Sequence, residues 1–195
     1  MEPDAASDEG LSVVIGRRVR SARAERGWTL DDLAARSGVS RRMVVNVEQG
    51  VSNASIATLL RLSTALGISL ASLVDVPSSS ALAVSRKGEH HVLWEGEHGG
   101  QGVLLTSTDP PDVVELWDWT LEPEDTYASE EHSAGTRELL HVLAGTVTMT
   151  VGDETAVLRA GDALWFPGDR PHTYANTGKR TARFALSVHQ PGLGT

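Results

Sequence analysis

The stretch "LDDLAARSGVSRRMVVNVEQG", residues 30–50, contains two short apolar patterns of helical period, one on each side of a glycine. Ala34 is small enough for a second helix to approach closely, and Gly38 can adopt the positive φ of a tight turn. Val44 and Val47 are spaced to lie on one face of the second helix, which they would anchor in a core. The stretch therefore predicts two helices that cross steeply through a short turn.

Similar signals on both sides extend this prediction to five helices between residues 11 and 75. A glycine follows each of the first four apolar patterns, where a helix commonly ends. Thr29, Ser40 and Ser55 stand where each can cap the helix that follows. Five short helices with a steeply crossing pair are the arrangement of a helix-turn-helix domain.

The second helix of the pair would present polar side chains to a partner. Arginine grips phosphates or pairs with guanine, asparagine can read adenine, and valine can contact a thymine methyl. Hydroxyl groups at helix N-termini support phosphate contacts. Double-stranded DNA is therefore the predicted partner, and the predicted DNA-binding residues are Thr29, Ser40, Arg41, Arg42, Val45 and Asn46.

The charge distribution favours the same interpretation. The net charge of the chain is -9, yet residues 11–75 carry nine arginines against five acidic residues. A basic region inside an acidic chain indicates a nucleic-acid-binding unit attached to a second unit. Residues 76–81, rich in serine, predict a linker between this domain and a second domain at 82–195.

The segment from Ile15 to Val74 resembles the XRE-type helix-turn-helix domain of phage repressors and bacterial regulators. The resemblance implies that residues 40–49 are the recognition helix and that Glu48 orients neighbouring side chains rather than binding DNA. Leu30 departs from the family pattern, because members often carry a DNA-contacting glutamine there. A five-helix protein-docking module is the alternative for this domain.

From about residue 81 the period changes to short alternating runs, such as "VVELWDWTL" (113–121) and "TVTMTV" (146–151), separated by Gly, Pro or Asp. Their even spacing leaves no room for crossover helices, which predicts an antiparallel sandwich or barrel. The predicted fold class is thus an α + β chain of two domains, with five helices followed by an antiparallel β-barrel.

Two stretches of the second domain carry groups that could bind a metal or a ligand. "GDALWFPGDRPHTYAN", residues 161–176, contains His172, and "SEEHSAGTRELLHVLAGTV", residues 129–147, contains Glu130, His132, Glu138 and His141. Two histidines and a carboxylate from separate strands can hold Fe, Mn, Ni or Zn with open positions for water or substrate. His141 is out of phase with Glu138 and should face the other way.

These two stretches resemble the motifs of the cupin superfamily, G-x5-H-x-H-x3-4-E-x6-G and G-x5-P-x-G-x2-H-x3-N. The second motif runs from Gly161 to Asn176 and departs only where Asp169 replaces a glycine. The first departs more: five residues separate His132 from Glu138, and Glu130 holds the place of the first histidine. The resemblance implies a jelly-roll cupin fold.

A pocket without a metal is the alternative for this site. In it the same polar groups would line an effector pocket whose predicted residues are Trp117, Trp119, Tyr127, Glu130, Trp165 and Tyr174. Carboxylates at Glu130 and Glu138 would favour a cationic ligand such as an amine.

The leading hypothesis for function is a transcriptional regulator whose cupin domain senses a small molecule or a metal and changes operator affinity. A single helix-turn-helix reads only one half-site, so a homodimer is expected, with residues 81–95 as the candidate contact. The alternative is a metal-dependent enzyme, because the layout resembles the mononuclear-iron hydroxypropylphosphonate epoxidase. A cupin storage or scaffold protein would leave Arg41 and Arg42 without a role.

The composition and the apolar runs of the sequence indicate the cellular location of the protein. The chain has no cysteine, which excludes disulfides and thiolate ligands. The opening "MEPDAASDEG" lacks the order of a secretory signal, and no apolar run approaches the length of a membrane span. We therefore expect a soluble, cytoplasmic protein with no membrane partner.

Overall fold

A computed structural model describes residues 10–52, 54–74, 82 and 84–192 of the chain. The chain divides into two compact units between residues 77 and 78. The predicted linker, 76–81, lies outside the described residues, and so do residues 75 and 195, at which the two predicted domains end. The predicted fold class is confirmed, since helices fill the first unit and antiparallel strands the second.

The first unit contains five α-helices. They are α1 (Leu11–Glu25), α2 (Leu30–Ser37), α3 (Arg41–Glu48), α4 (Ile56–Leu66) and α5 (Leu70–Val74). Thr29, Ser40 and Ser55 cap α2, α3 and α4, because each hydroxyl accepts a hydrogen bond from the backbone N–H three residues later. Gly38 ends α2 with a φ of 66°, which a residue with a side chain rarely adopts. The capping residues predicted from the sequence thus set these helix ends.

The core of the helical unit fixes how α3 is held. Val44 and Val47 of α3 are buried, as their spacing predicted, and Leu33 of α2 is buried with them. Gly16 of α1 lies against the end of α3, where a Cβ would come within 2.3 Å of the Val47 carbonyl oxygen. This close approach leaves the opposite face of α3 uncovered by α1.

The second unit contains ten β-strands. They are β1 (His91–Glu95), β2 (Gln101–Ser107), β3 (Val113–Leu121), β4 (Thr126–Ser129), β5 (Arg137–Ala144), β6 (Thr146–Val151), β7 (Glu154–Arg159), β8 (Ala163–Pro167), β9 (His172–Ala175) and β10 (Ala182–Gln190). The larger sheet has the order β1-β2-β3-β10-β5-β8 and the smaller sheet β4-β9-β6-β7, with antiparallel pairing throughout. The strands therefore form two packed sheets of a jelly roll, not one hydrogen-bonded ring.

The interior between the sheets is lined by alternate residues of each strand. On β5, Glu138, Leu140 and Val142 are all buried, which agrees with the expected strand alternation. On β3, the buried face includes Glu115 as well as the tryptophans. Val188 of β10 pairs with Glu115 on one side and Glu138 on the other. Both carboxyl-bearing residues thus lie in one row across the larger sheet.

A buried carboxylate joins two turns at one end of this domain. The Asp125 side chain accepts hydrogen bonds from the backbone N–H groups of His98, Gly100 and Glu122, at 2.9, 2.8 and 3.0 Å. Burial alone would raise the pKa of Asp125, but these hydrogen bonds outweigh it and lower the pKa. Because the folded pKa is lowered, this stabilisation is complete above the unfolded pKa of about 4 and is lost as the pH falls through the folded value.

We expect Asp125→Ala to destabilise the cupin domain by about 3–5 kcal/mol, because three backbone N–H groups lose their acceptor. Asp125→Asn keeps one acceptor oxygen and should cost less. Urea unfolding followed by tryptophan fluorescence measures both, with Asp153→Ala in an exposed turn as the control. A loss below about 1 kcal/mol for Asp125→Ala would show that water replaces the carboxylate.

Candidate nucleic-acid interface and candidate metal centre

The uncovered face of α3 carries the side chains predicted to contact DNA. Arg41 and Arg42 are exposed in its first turn, and Val45 and Asn46 are half-buried further along. Arg41 forms an exposed ion pair with Asp31 of α2, at 2.9 Å. Such a pair is weak in water, so the guanidinium remains available to a phosphate or a base.

The two predicted hydroxyl contacts differ in their surroundings. The Thr29 hydroxyl accepts from the Asp32 backbone N–H, and the Thr29 backbone N–H donates to the Asp32 carboxylate at 2.8 Å, which completes a capping box. The Thr29 hydroxyl also donates to that carboxylate, at 2.7 Å. Hydrogen bonds from Thr29 lower the pKa of Asp32. The Ser40 hydroxyl accepts from the Met43 N–H at 3.3 Å and has no acidic neighbour in its helix's first turn. Ser40 therefore suits an approaching phosphate better than Thr29 does.

Glu48 at the end of α3 is engaged inside the helical unit. Its two carboxylate oxygens accept hydrogen bonds from Arg23 of α1 at 2.6 and 2.9 Å. A third nitrogen of Arg23 donates to the Trp28 carbonyl at 2.7 Å. Glu48 thereby ties α3 to α1, in keeping with the orienting role that the resemblance implies.

The three predicted metal ligands converge in the cupin domain. His132 lies in the loop after β4, Glu138 on β5 and His172 at the start of β9. Their candidate ligand atoms all lie within 4.8 Å of one another. The Nε2 atoms of His132 and His172 lie 3.0 and 3.3 Å from the same oxygen, Oε1 of Glu138. Oε1 of Glu138 and Nε2 of His172 are both buried, and among the described residues neither atom has a partner in a well-formed hydrogen bond.

Neighbouring groups fix the orientation of two of these ligands. Nδ1 of His172 donates to the Arg170 carbonyl at 2.8 Å, because a carbonyl can only accept. In the neutral ring the lone pair is then on Nε2, which faces Glu138. The Tyr174 hydroxyl donates to the other oxygen of Glu138. Outer hydrogen bonds of this kind are typical of metal ligands.

The charges of the cluster are coupled. Burial alone would raise the pKa of Glu138, but contacts from His132 and His172 outweigh it and lower the pKa to about 2. Burial alone would lower the pKa of His172, yet Glu138 raises it overall. The cluster thus holds an anionic oxygen between two imidazoles in a dry interior, a donor set that suits Fe, Mn, Ni or Zn. It is compatible with a metal site.

A glycine that the sequence analysis did not single out makes room for this cluster. A Cβ on Gly168 would lie 2.7 Å from Oε1 of Glu138. Gly168 also holds the His132 loop, since its carbonyl accepts from the His132 N–H at 3.0 Å. Asp169, which replaces the motif glycine, accepts from the Gly135 N–H at 2.9 Å. The space that the cluster requires is therefore provided one position earlier than in the motif.

Most of the predicted pocket aromatics lie between the sheets. Trp117, Trp119 and Tyr174 are buried, and Tyr127 is half-buried. The Trp119 ring lies 4.7 Å from that of Tyr127 and 5.9 Å from that of Tyr174. Trp94 of β1, which was not predicted, joins them at 5.4 Å from Trp119. The structure therefore brings these rings together as one aromatic cluster.

Two predicted pocket residues lie elsewhere. The placement of Trp165 in the interior is wrong: it is 64% exposed on the outer face of the larger sheet, opposite in phase to the buried Phe166. Its ring contacts the Arg137 guanidinium instead. Glu130 is exposed in the loop after β4. His141 is exposed, and so it faces away from the interior as expected.

The structure also places in the interior a carboxyl group that the sequence did not predict there. Glu115 is 1% exposed, and its Oε2 accepts a hydrogen bond from Nε1 of Trp117 at 3.0 Å. Its Oε1 has no partner, and neither does the buried Nε1 of Trp119. Burial, with a smaller contribution from the charge of Glu138, raises the pKa of Glu115 to about 7. Glu115 lies two positions before Trp117 on the same strand, and this spacing was the signal that both side chains face the interior.

Comparison with known proteins agrees with both units. The helix-turn-helix family HTH_3 matches residues 19–73 and the cupin domain family Cupin_2 matches residues 117–189. The Escherichia coli K12 HTH-type transcriptional regulator SutR is 26% identical over 94% of this chain and 98% of its own. The HTH-type transcriptional regulator PuuR of the same organism is 25% identical over 95% of this chain and 98% of its own. A crystal structure of an HTH_3 family transcriptional regulator from Vibrio cholerae covers 93% of this chain and 97% of its own, with 26% identity and a TM-score of 0.73.

A helix-turn-helix unit followed by a cupin unit defines the class of this protein. The chain combines an XRE-type helix-turn-helix domain with a C-terminal cupin domain, and over nearly its whole length it is similar to HTH-type transcriptional regulators. The two domains support a DNA-binding regulator, and the relatives that match over nearly the whole length of the chain are named transcriptional regulators. No helix in the described part of the chain is long and apolar enough to cross a membrane.

Proposed function

We propose that the cupin domain senses a small molecule or a divalent metal ion and thereby changes the affinity of the helix-turn-helix domain for its operator. The convergence of His132, Glu138 and His172 in a buried, aromatic-lined interior carries the proposal. A regulator needs no such arrangement to fold, because unpaired buried polar atoms cost stability. We assign DNA binding to residues 11–75 and ligand sensing to residues 82–195. Both activities take place in the cytoplasm.

The proposed mechanism is linkage between two sites. A ligand that binds more tightly to one arrangement of the DNA-binding domains shifts the population toward it, by no more than its difference in affinity. His132, Glu138 and His172 would hold the ion, and the Arg170 carbonyl and Tyr174 would keep the ligands oriented. An ion held there would supply open coordination positions for an oxygen or nitrogen of the effector.

The proposed DNA-binding unit is a homodimer, because one recognition helix contacts only one half-site. The predicted contact segment 81–95 includes β1, which is the end strand of the larger sheet next to β2. The outer face of the larger sheet is also apolar, with Leu116, Leu139 and Trp165 exposed around a groove of about 450 Å³. Such faces are commonly covered in assemblies.

We expect operator affinity to change by about 5-fold to 150-fold when the cupin ligand is supplied. The full chain, dialysed against a chelator, is titrated with labelled DNA from its own upstream region by fluorescence anisotropy. The titration is repeated with each of Fe(II), Mn(II), Ni(II) and Zn(II), and with a low-molecular-weight cell extract. The stoichiometry of the same titration should be two protein chains bound to each operator, as the proposed homodimer requires. An affinity unchanged under all these conditions would refute sensing while leaving DNA binding intact.

A further inference from the structure

Glu115 is a buried carboxyl group that the metal cluster does not use. It lies on the inward face of β3, and the paired Val188 separates it from Glu138 in the same row. Two strand spacings place the backbones of Glu115 and Glu138 about 10 Å apart. The group whose ligand atoms all lie within 4.8 Å of one another consists of His132, Glu138 and His172 and does not include Glu115, so Glu115 has a role separate from these candidate metal ligands.

No lysine or arginine is among the buried residues that the structure describes in the cupin domain. Oε2 accepts from Trp117, but Oε1 is buried without a hydrogen-bond partner. The buried polar residues described in the cupin domain are Glu115, Asp125, Ser129, Thr136, Glu138, His172, Asn176 and Gln190, and none is lysine or arginine. An unpaired buried carboxylate is costly, and burial accordingly raises the pKa of Glu115 to about 7. A bound cationic donor would offset this cost.

The aromatic cluster begins at the tryptophan that donates to Glu115. Trp117, next to Glu115, is stacked with Trp119 at 5.8 Å between ring centroids. Trp119 in turn contacts Trp94, Tyr127 and Tyr174. Faces of Trp and Tyr attract cations within about 6 Å, most strongly when the site is desolvated. A carboxylate oxygen without a hydrogen-bond partner, next to stacked tryptophans, is thus suited to binding an ammonium group.

We propose that Glu115 accepts a hydrogen bond from a protonated amine of the effector, so that the effector of this regulator is a small organic amine. This inference rests on the proposed sensing function and specifies its ligand class. The unpaired Nε1–H of Trp119 adds a donor for an oxygen elsewhere on the same molecule. A buried water or a protonated Glu115 is the competing explanation of the open oxygen.

The test compares three probes of equal size, n-butylamine, n-butanol and butyrate, against the full chain at pH 7. Quenching of tryptophan fluorescence reports binding beside Trp117, and calorimetry gives the affinity. We expect n-butylamine to bind at least about tenfold more tightly than the other two, because it alone offers a charged donor. Repeating the titration after dialysis against a chelator should leave this preference unchanged, since Glu115 is not a metal ligand.

The decisive variant is Glu115→Gln, which keeps the shape of the side chain and an acceptor for Trp117. This variant should bind n-butylamine about tenfold to hundredfold more weakly, and its affinity for n-butanol should be unchanged. Glu154→Gln, which changes an exposed carboxylate of β7, should bind all three probes as the parent protein does. Thermal unfolding and operator affinity without ligand verify that both variants fold.

Equal binding of n-butylamine and n-butanol, or full n-butylamine affinity in Glu115→Gln, would overturn the amine assignment and favour the buried water. The sensing proposal would survive that result if a metal or the cell extract still changed operator affinity. Conversely, an operator affinity that responds to none of them would refute sensing even if n-butylamine bound at Glu115. The two failures are therefore distinguishable.

Discussion

Replacing Arg41 and Arg42 together by alanine should weaken binding to the upstream operator by about two orders of magnitude. Both side chains are exposed in the first turn of α3, the part of a recognition helix that meets bases and phosphates. Each charged contact is worth about 1–3 kcal/mol, so losing both yields an effect of this size. Fluorescence anisotropy at a series of salt concentrations measures the loss of affinity. The slope of the logarithm of the binding constant against the logarithm of salt concentration should become smaller by about 1 for each lost phosphate contact.

The control for this double variant has the same change in charge at another place. Arg159→Ala with Arg180→Ala removes two exposed positive charges from the cupin domain and should leave operator affinity nearly unchanged. This pairing separates local contacts from the general attraction of a positive surface for DNA. Equal losses in the two double variants would show that α3 is not the recognition element.

Replacing His172 by alanine should abolish stoichiometric binding of a divalent ion, with a loss of more than about a hundredfold in affinity, since even outer-shell changes cost tenfold to hundredfold. Operator affinity without ligand should be unchanged, because the helical unit has its own core. Elemental analysis after dialysis against buffered Fe, Mn, Ni or Zn measures the bound metal.

His141→Ala is the matched control, since this histidine is exposed on the same domain. It should retain the ion content of the parent protein. Equal ion content in His172→Ala and the parent, or no stoichiometric ion in the parent under any of these conditions, would contradict the metal assignment and leave the pocket without a metal.

The helical domain was predictable because its signals are local. Thr29, Ser40 and Ser55 act on backbone groups within three residues, so their effect is visible in the sequence. The metal ligands followed from motif spacing, which the resemblance supplied. The short strand β4 was not predicted, because four residues show too little alternation to separate a strand from a loop.

The misplacement of Trp165 and the omission of Glu115 have one physical cause, the choice between the faces of a strand. In "ALWFP" three consecutive large apolar residues show no alternation, so Trp165 looked as suited to the interior as Phe166. Its pairing with Leu139, which is also exposed, sets the outward phase, and pairing is a tertiary property. Glu115 was overlooked because a carboxylate usually faces water, although it shares its face with Trp117 and Trp119.

The position of β10 in the larger sheet has a consequence for the order in which the protein folds during synthesis. β10 lies between β3 and β5, and Gln190 pairs with Val113, so the centre of the sheet closes only when nearly the whole chain has been made. The five helices end at Val74 and depend on local contacts, which form much faster than pairings across long loops. We expect each new chain to pass through a stage in which the helices are folded while the cupin interior is still open.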